Sequence, residues 1–245
     1  MLINPFTKLK KSIPPTSEGN SSLTMRALLA FSKCSEEFVF VILCKQLRLH
    51  VYQSRNCGWV TYSTMENEER VVDFAVLHDL IYVVTNKVNI GVLNLNSANI
   101  QFLKLQSAPF VAIPMYLKLV TCDEQPLVVY LFSKEITIMY KIDFSTMNYV
   151  ELETLGDIAL FSFSFGLKKN CYALSNPNKW GYESNSVYYT SMFSTICSVC
   201  SGDDKKLQKC ITLPAPLKSY PPTVGWKFDW CFRHLKYEVD YSLVE

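Results

Sequence analysis

From Ala27 onward the chain is a succession of strand-length apolar runs separated by polar turns. In two of them the alternation is strict. Leu47, Leu49 and Val51 alternate with Gln46, Arg48 and His50, and Ile136, Ile138, Tyr140 and Ile142 alternate with Thr137, Met139, Lys141 and Asp143. A period of two sends successive side chains to opposite faces, so these segments are expected to be β-strands with one face in a core.

The runs fall into groups of four or five. The first holds residues 27–32, 38–44, 47–52 and 58–62; the second 71–77, 80–85, 88–95 and 100–105; the third 116–122, 127–132, 136–142 and 148–152. A fourth holds 158–165, 170–174, 186–190, 196–199 and 207–213. Their starts, Ala27, Val71, Tyr116 and Ile158, are spaced by 44, 45 and 42 residues. A fixed spacing near the length of one four-stranded blade predicts a β-propeller of kelch-like blades rather than a sandwich. The fold class is therefore all-β: about four blades over residues 27–213, an N-terminal strand and loop over 1–26, and a Pro-rich linker with a terminal β-hairpin over 214–245. Pro214, Pro216, Pro221 and Pro222 mark the linker, since each removes a backbone donor. Beyond it Trp226, Phe228, Trp230 and Phe232 alternate with Lys227, Asp229, Cys231 and Arg233.

Two stretches are more specific than this pattern. One is Leu2-Ile3-Asn4-Pro5-Phe6-Thr7. The other begins Leu155-Gly156-Asp157-Ile158-Ala159-Leu160-Phe161, passes Asn170-Cys171 and closes at Asn185-Ser186-Val187-Tyr188-Tyr189. Together they resemble the plant KIB-type F-box-associated β-propeller, over nearly the whole chain up to Pro222. The resemblance implies the substrate-recognition part of a Skp-cullin-F-box ubiquitin ligase, in which the F-box docks on a Skp-type adaptor and the propeller holds an unidentified client protein without catalysing anything. In the family the Asn-Pro-Phe-Thr segment follows the F-box and an opening blade; here it is at the start. The chain is thus expected to be N-terminally truncated, to meet the adaptor only in a longer form, and to be an incomplete ring that is either tightened by the terminal hairpin and residues 2–7 or leaves the isolated chain poorly soluble. The alternative is a ubiquitin-independent scaffold or decoy, with an organelle as its setting.

Composition narrows the partners. The apolar fraction is 49%, with 14 Tyr and 15 Phe, which suits a large β core. Basic and acidic residues number 24 and 22, for a formal charge of +2, so no field exists to gather phosphates and neither nucleic acid nor a membrane surface is the expected partner. Lys8, Lys10 and Lys11, and Lys205, Lys206 and Lys209, read as solvated loop charges. Nine cysteines, an odd number set mostly in apolar runs, read as reduced thiols of a cytoplasmic or nuclear protein. An N-terminus with three Lys and no acid in residues 1–17 leaves the mitochondrion as a weaker alternative.

Chemistry-bearing motifs are sparse. There is no nucleophile elbow, paired-histidine zinc motif or phosphate loop, and the three histidines, His50, His78 and His234, lie in none. No catalytic residue, cofactor or metal is expected. Cys197 and Cys200 have zinc-like spacing, yet only Cys210 is near in sequence, and a structural site needs four ligands. Asp157 and Asn185 read as turn residues bonding their own backbone. Trp59 reads as core. The candidate protein-interaction feature is the loop Asn176-Pro177-Asn178-Lys179-Trp180-Gly181-Tyr182, with Asn178, Lys179, Trp180 and Tyr182 as its contact residues, because aromatic side chains dominate interface energetics.

Overall fold

The computed structural model describes residues 2–3, 10–11, 14, 24–31, 37–44, 48–63, 65–66, 69–77, 80–95, 99–132, 137–165, 168–191 and 194–213. The expected linker and hairpin over 214–245 lie outside them. Described residues up to Leu103 form one compact unit and those from Lys104 a second.

In the first unit β1 (Leu2–Ile3) and β2 (Lys10–Lys11) form a short antiparallel ribbon. Next come β3 (Thr24–Phe31), β4 (Phe38–Cys44), β5 (Arg48–Gln53) and β6 (Gly58–Ser63), an antiparallel sheet in sequence order. A second sheet is built from β7 (Met65–Glu66), β8 (Glu69–Leu77), β9 (Leu80–Thr85), β10 (Ile90–Asn94) and β11 (Gln101–Phe102). Leu43, Leu49 and Val51 of the first sheet and Phe74, Ile81, Val83 and Leu93 of the second share one core. Two polar ties join the sheets as well. Arg26 is ion-paired with the buried Asp73, and Gln53 Nε2 donates to the Leu95 carbonyl at 2.9 Å.

The second unit opens with a 3-10 turn, Pro114–Tyr116, and continues through β12 (Leu117–Cys122), β13 (Gln125–Leu131), β14 (Thr137–Asp143) and β15 (Asn148–Glu151), again in sequence order. Its other sheet comprises β16 (Ile158–Phe165), β17 (Lys168–Ser175), β18 (Ser186–Ser191), β19 (Ile196–Ser201) and β20 (Leu207–Thr212). Here the order is β17-β16-β18-β19-β20, and β16 pairs with β18 in parallel. Val129, Leu131 and Met139 of one sheet pack with Leu160, Val187 and Tyr189 of the other. The strand groups read from the sequence are thus the sheets of the molecule, an all-β architecture of propeller blades.

Two details differ from the alternation. His50 and Tyr52, on the polar face of β5, are buried, and His50 Nδ1 shares a 2.9 Å hydrogen bond with Thr61 Oγ1. Met139, on the face of β14 opposite its isoleucines, is in the core while Tyr140 and Ile142 are buried too. These strands are covered on both faces, which a period-two pattern with one polar face does not express. The run expected over 100–105 is reduced to the strand Gln101–Phe102, both exposed, with the Leu103 amide on the Ile90 carbonyl at 2.8 Å.

Candidate functional site

The parallel pairing of β16 with β18 requires a crossover. Residues 176–185 supply it, passing from the end of β17 over the start of β16 to the start of β18. Asn176 turns the chain at φ 49, Pro177–Trp180 form one 3-10 turn, and Gly181 at φ 81 ends it. Asparagine tolerates the left-handed region at the first position, and proline at the head of the turn loses no hydrogen bond that a helix would use.

Both ends of the crossover are fastened to the Leu155-Gly156-Asp157 segment. At the first, the Asn176 amide donates to the Asp157 carbonyl at 3.0 Å. At the second, Asn185 Oδ1 accepts the Leu155 amide at 2.9 Å and the Thr154 hydroxyl at 3.1 Å, and the Asn185 carbonyl accepts the Gly202 amide at 2.6 Å. Between them Ser184 Oγ donates to Asp157 Oδ1 at 2.8 Å and accepts Asn178 Nδ2 at 2.7 Å. Asp157 and Asn185 therefore bond across the crossover rather than to their own backbone as expected, although Asn185 keeps the positive φ, 52°, of a turn residue. The Leu-Gly-Asp and Asn-Ser-Val-Tyr-Tyr pieces of the sequence are the two halves of this clip.

An aromatic floor supports the loop. Tyr182 meets Phe161 edge-on at 4.9 Å between centroids and Tyr188 at 5.6 Å, while Phe161 and Tyr188 stack at 4.7 Å. Such pairs add about 0.5–1.5 kcal/mol beyond their buried area. Burial raises the phenol pKa of both tyrosines. The Glu183 amide donates to Tyr188 OH at 2.8 Å, and its carboxylate is paired with Lys209 on β20. Of the four anticipated contact residues, Asn178, Lys179 and Trp180 are exposed, Asn178 with its amide turned to Ser184, Trp180 39% exposed and Lys179 Nζ 5.4 Å from its ring centroid. Tyr182 faces the other way, as the anchor.

The other candidates are placed apart from the loop surface. Cys197 and Cys200 lie on β19 three residues apart, hence on opposite faces: Cys200 joins the core with Val187, and Cys197 is buried on the other side. Burial pushes the Cys197 thiol up to about 11. Cys210 is exposed on β20, and among the described residues no three metal-ligating side chains are grouped. Lys206 pairs with Asp204 at 3.0 Å and Lys205 donates to the Gly202 carbonyl. Trp59 is half-buried, 5.5 Å from Tyr52 and 6.0 Å from Phe40 between centroids, with its indole N–H on the Pro14 carbonyl at 2.8 Å. Among the described residues no helix is long and apolar enough to cross a membrane.

Thr154, Ser184 and Gly202, which complete the clip, carry no signal of their own in the sequence. Small residues in turns are too common to mark a contact 17, 27 or 31 residues away.

Residues 1–214 match the model of the KIB1-4 beta-propeller family. The chain belongs to that family. In this KIB1-4 propeller the family-like Leu155–Tyr189 stretch is the clip and the loop it carries. No curated protein matches the sequence. Among solved structures, apo AztD from Citrobacter koseri is similar over 67% of this chain at 13% identity, with a TM-score of 0.42. The chain spans 41% of its length.

Proposed function

We propose that this KIB1-4 propeller is a non-enzymatic recognition module that holds a client protein through the crossover loop. The observation that carries the reading is the division of labour within 176–185: backbone, Asn178, Asn185, Ser184 and Tyr182 fix the loop, leaving Lys179 and Trp180 outward on a base that needs no ordering. Preorganisation of this kind lowers the entropic cost of binding, and a tryptophan beside a cation is a common hot-spot chemistry. By its resemblance to F-box-associated propellers, the client is one destined for ubiquitination, and a Skp-type adaptor is met through a longer form or a partner chain.

The test is proximity labelling in source tissue with the wild type, Trp180→Ala and Lys179→Glu. One set of proteins is expected to be lost in both variants, with unfolding midpoints unchanged. Binding of purified members of that set should weaken by at least about tenfold for Trp180→Ala, the size of a hot-spot truncation. Ubiquitination of those proteins should fall when the chain is depleted; capture with unchanged ubiquitination would assign the scaffold or decoy role instead. Retention of every labelled protein by both variants would remove the loop from recognition.

A further inference from the structure

A second feature lies at the other end of the same sheet. The face of the β16 sheet that packs on β12–β15 changes character along its strands. Near the crossover it is apolar, with Leu160, Val187 and Cys200 in the core. Toward the ends of β16 and β18 it turns polar: parallel register sets Ser162 beside Tyr189 and Ser164 beside Ser191, and the antiparallel neighbour β17 places Lys169 opposite Ser164. A cavity of about 100 Å³ opens there, with Leu131 among its lining residues.

Of the hydroxyls lining this cavity, those of Thr190 and Ser194 donate to the Ile196 carbonyl, while those of Ser162, Ser164 and Ser191 are unused among the described residues. Ser162 is 3% exposed, and among the described residues its hydroxyl has no hydrogen-bond partner. A buried hydroxyl left unpaired is destabilising, and a ligand that pairs it removes that penalty. Ser164, half-buried, and Ser191, exposed, extend the row from floor to mouth. Tyr189 OH is occupied with Thr137 Oγ1. Lys169 Nζ donates to the carbonyls of Leu131 at 2.6 Å and Phe132 at 2.8 Å and sits 4.3 Å from the Tyr116 ring centroid. The ammonium thus has its hydrogens directed at fixed acceptors and offers the cavity a charge rather than a donor. None of the described residues lining the cavity is acidic.

These facts select the ligand's chemistry. An apolar group would leave the hydroxyls unpaired, a cation would face Lys169, and a neutral polar group would gain nothing from the charge. We propose that this cavity is a carboxylate-binding site, with Ser162, Ser164 and Ser191 as donors and Lys169 as the positive charge behind them. Its size admits a carboxyl group and a carbon or two, so the source is either an aspartate or glutamate side chain or a small free acid.

The test is a titration of the isotope-labelled full chain with sodium acetate, followed by NMR, with methylammonium chloride and glycerol at matched ionic strength as references. Saturable shifts are expected at the amides of Ser162, Ser164 and Ser191 with acetate alone. Ser191→Ala, at an exposed position that does not threaten folding, should weaken acetate binding about tenfold, as loss of a hydrogen bond to a charged group does; Ser162→Ala should do the same. Absence of saturation, an equal response to methylammonium or glycerol, or acetate binding unchanged in both variants would overturn the assignment. A short glutamate-containing peptide and its glutamine counterpart separate the sources: glutamate-peptide binding tighter than acetate assigns a protein side chain, and acetate binding without peptide binding assigns a free acid, the carboxylate chemistry standing in both cases. Trp180→Ala should leave acetate binding intact, so the pocket and the loop fail independently.

Discussion

Asn185 holds together three parts of the second unit: its Oδ1 receives the Leu155 amide and the Thr154 hydroxyl, and its carbonyl receives the Gly202 amide, while the residue sits at φ 52. Replacing it by alanine strands the amide of a buried residue and puts a Cβ-bearing side chain without local hydrogen bonding in the left-handed region. The two effects together should cost about 3 kcal/mol in urea unfolding. Asn185→Asp keeps both the acceptor and the tolerance of positive φ and should lose far less. Gly202 is glycine for want of space: a Cβ there would lie 2.1 Å from Asn185 Oδ1 and 2.9 Å from both the Asn185 carbonyl oxygen and Leu155 Cγ. Gly202→Ala should therefore cost about 2 kcal/mol, in the range of overpacking. Since the nearest clash is with the Asn185 amide, it should cost less in the Asn185→Ala background than alone. Additivity within about 0.5 kcal/mol would show that the two sites are not one clip.

At the level of elements, what a sequence discloses is each strand's own pattern, and what it withholds is the partner. The strand groups and their spacing were legible because alternation and turn residues are local properties. The β16–β18 pairing was not, because the runs at 158–165, 170–174 and 186–190 are equally compatible with an all-antiparallel meander. The candidate loop was legible in part: Pro-Asn-Lys-Trp-Gly announces an exposed turn, but nothing local separates outward Trp180 from inward Tyr182. Phe161-Ser162-Phe163-Ser164-Phe165 did contain a sign of the cavity, a strand face lined with hydroxyls, which only register with Lys169 and Ser191 turns into a site. The same blindness covers Arg26 on β3 and Asp73 on β8. Their ion pair, with Arg26 5.4 Å from the Phe74 ring, binds two sheets across 47 residues of sequence. Asp73 is 1% exposed, so Arg26→Met should destabilise by about 3–5 kcal/mol by removing the countercharge of a buried carboxylate. Arg26→Met with Asp73→Leu should recover most of that in chemical denaturation; a single variant costing under about 1 kcal/mol would mean the pair does not join the sheets.

Across the whole molecule, burial acts mainly on thiols and phenols, and this sets the dependence of stability on pH. Desolvation, with Asp123 and Asp157 adding to it, pushes the Cys122 thiol from 9.0 up to about 12, and desolvation with Cys200 and Cys210 pushes Cys197 up to about 11. Desolvation likewise raises Tyr62 and Tyr82 in the first unit and Tyr149 and Tyr189 in the second. In the unfolded chain the thiols release protons from about pH 9 and the phenols from about pH 10. The folded chain still holds them there, so it binds more protons than the unfolded one and stability falls as pH rises. The contribution is complete below pH 9 and is lost up to the folded pKa, each thiol subtracting up to about 1.4 kcal/mol per pH unit. Lys169 and Lys205 oppose this, since burial lowers both below 10.5 and the strain of holding them charged is relieved as pH climbs past their folded values. The groups held protonated outnumber them. Urea unfolding under reducing conditions should therefore give a stability that is level from pH 7 to about 8.5 and drops steeply beyond 9. Between pH 9 and 10, where the phenols of the unfolded chain are still mostly protonated, Cys122→Val with Cys197→Val should flatten the decline; an equally steep fall in that variant would move its origin to groups other than the buried thiols.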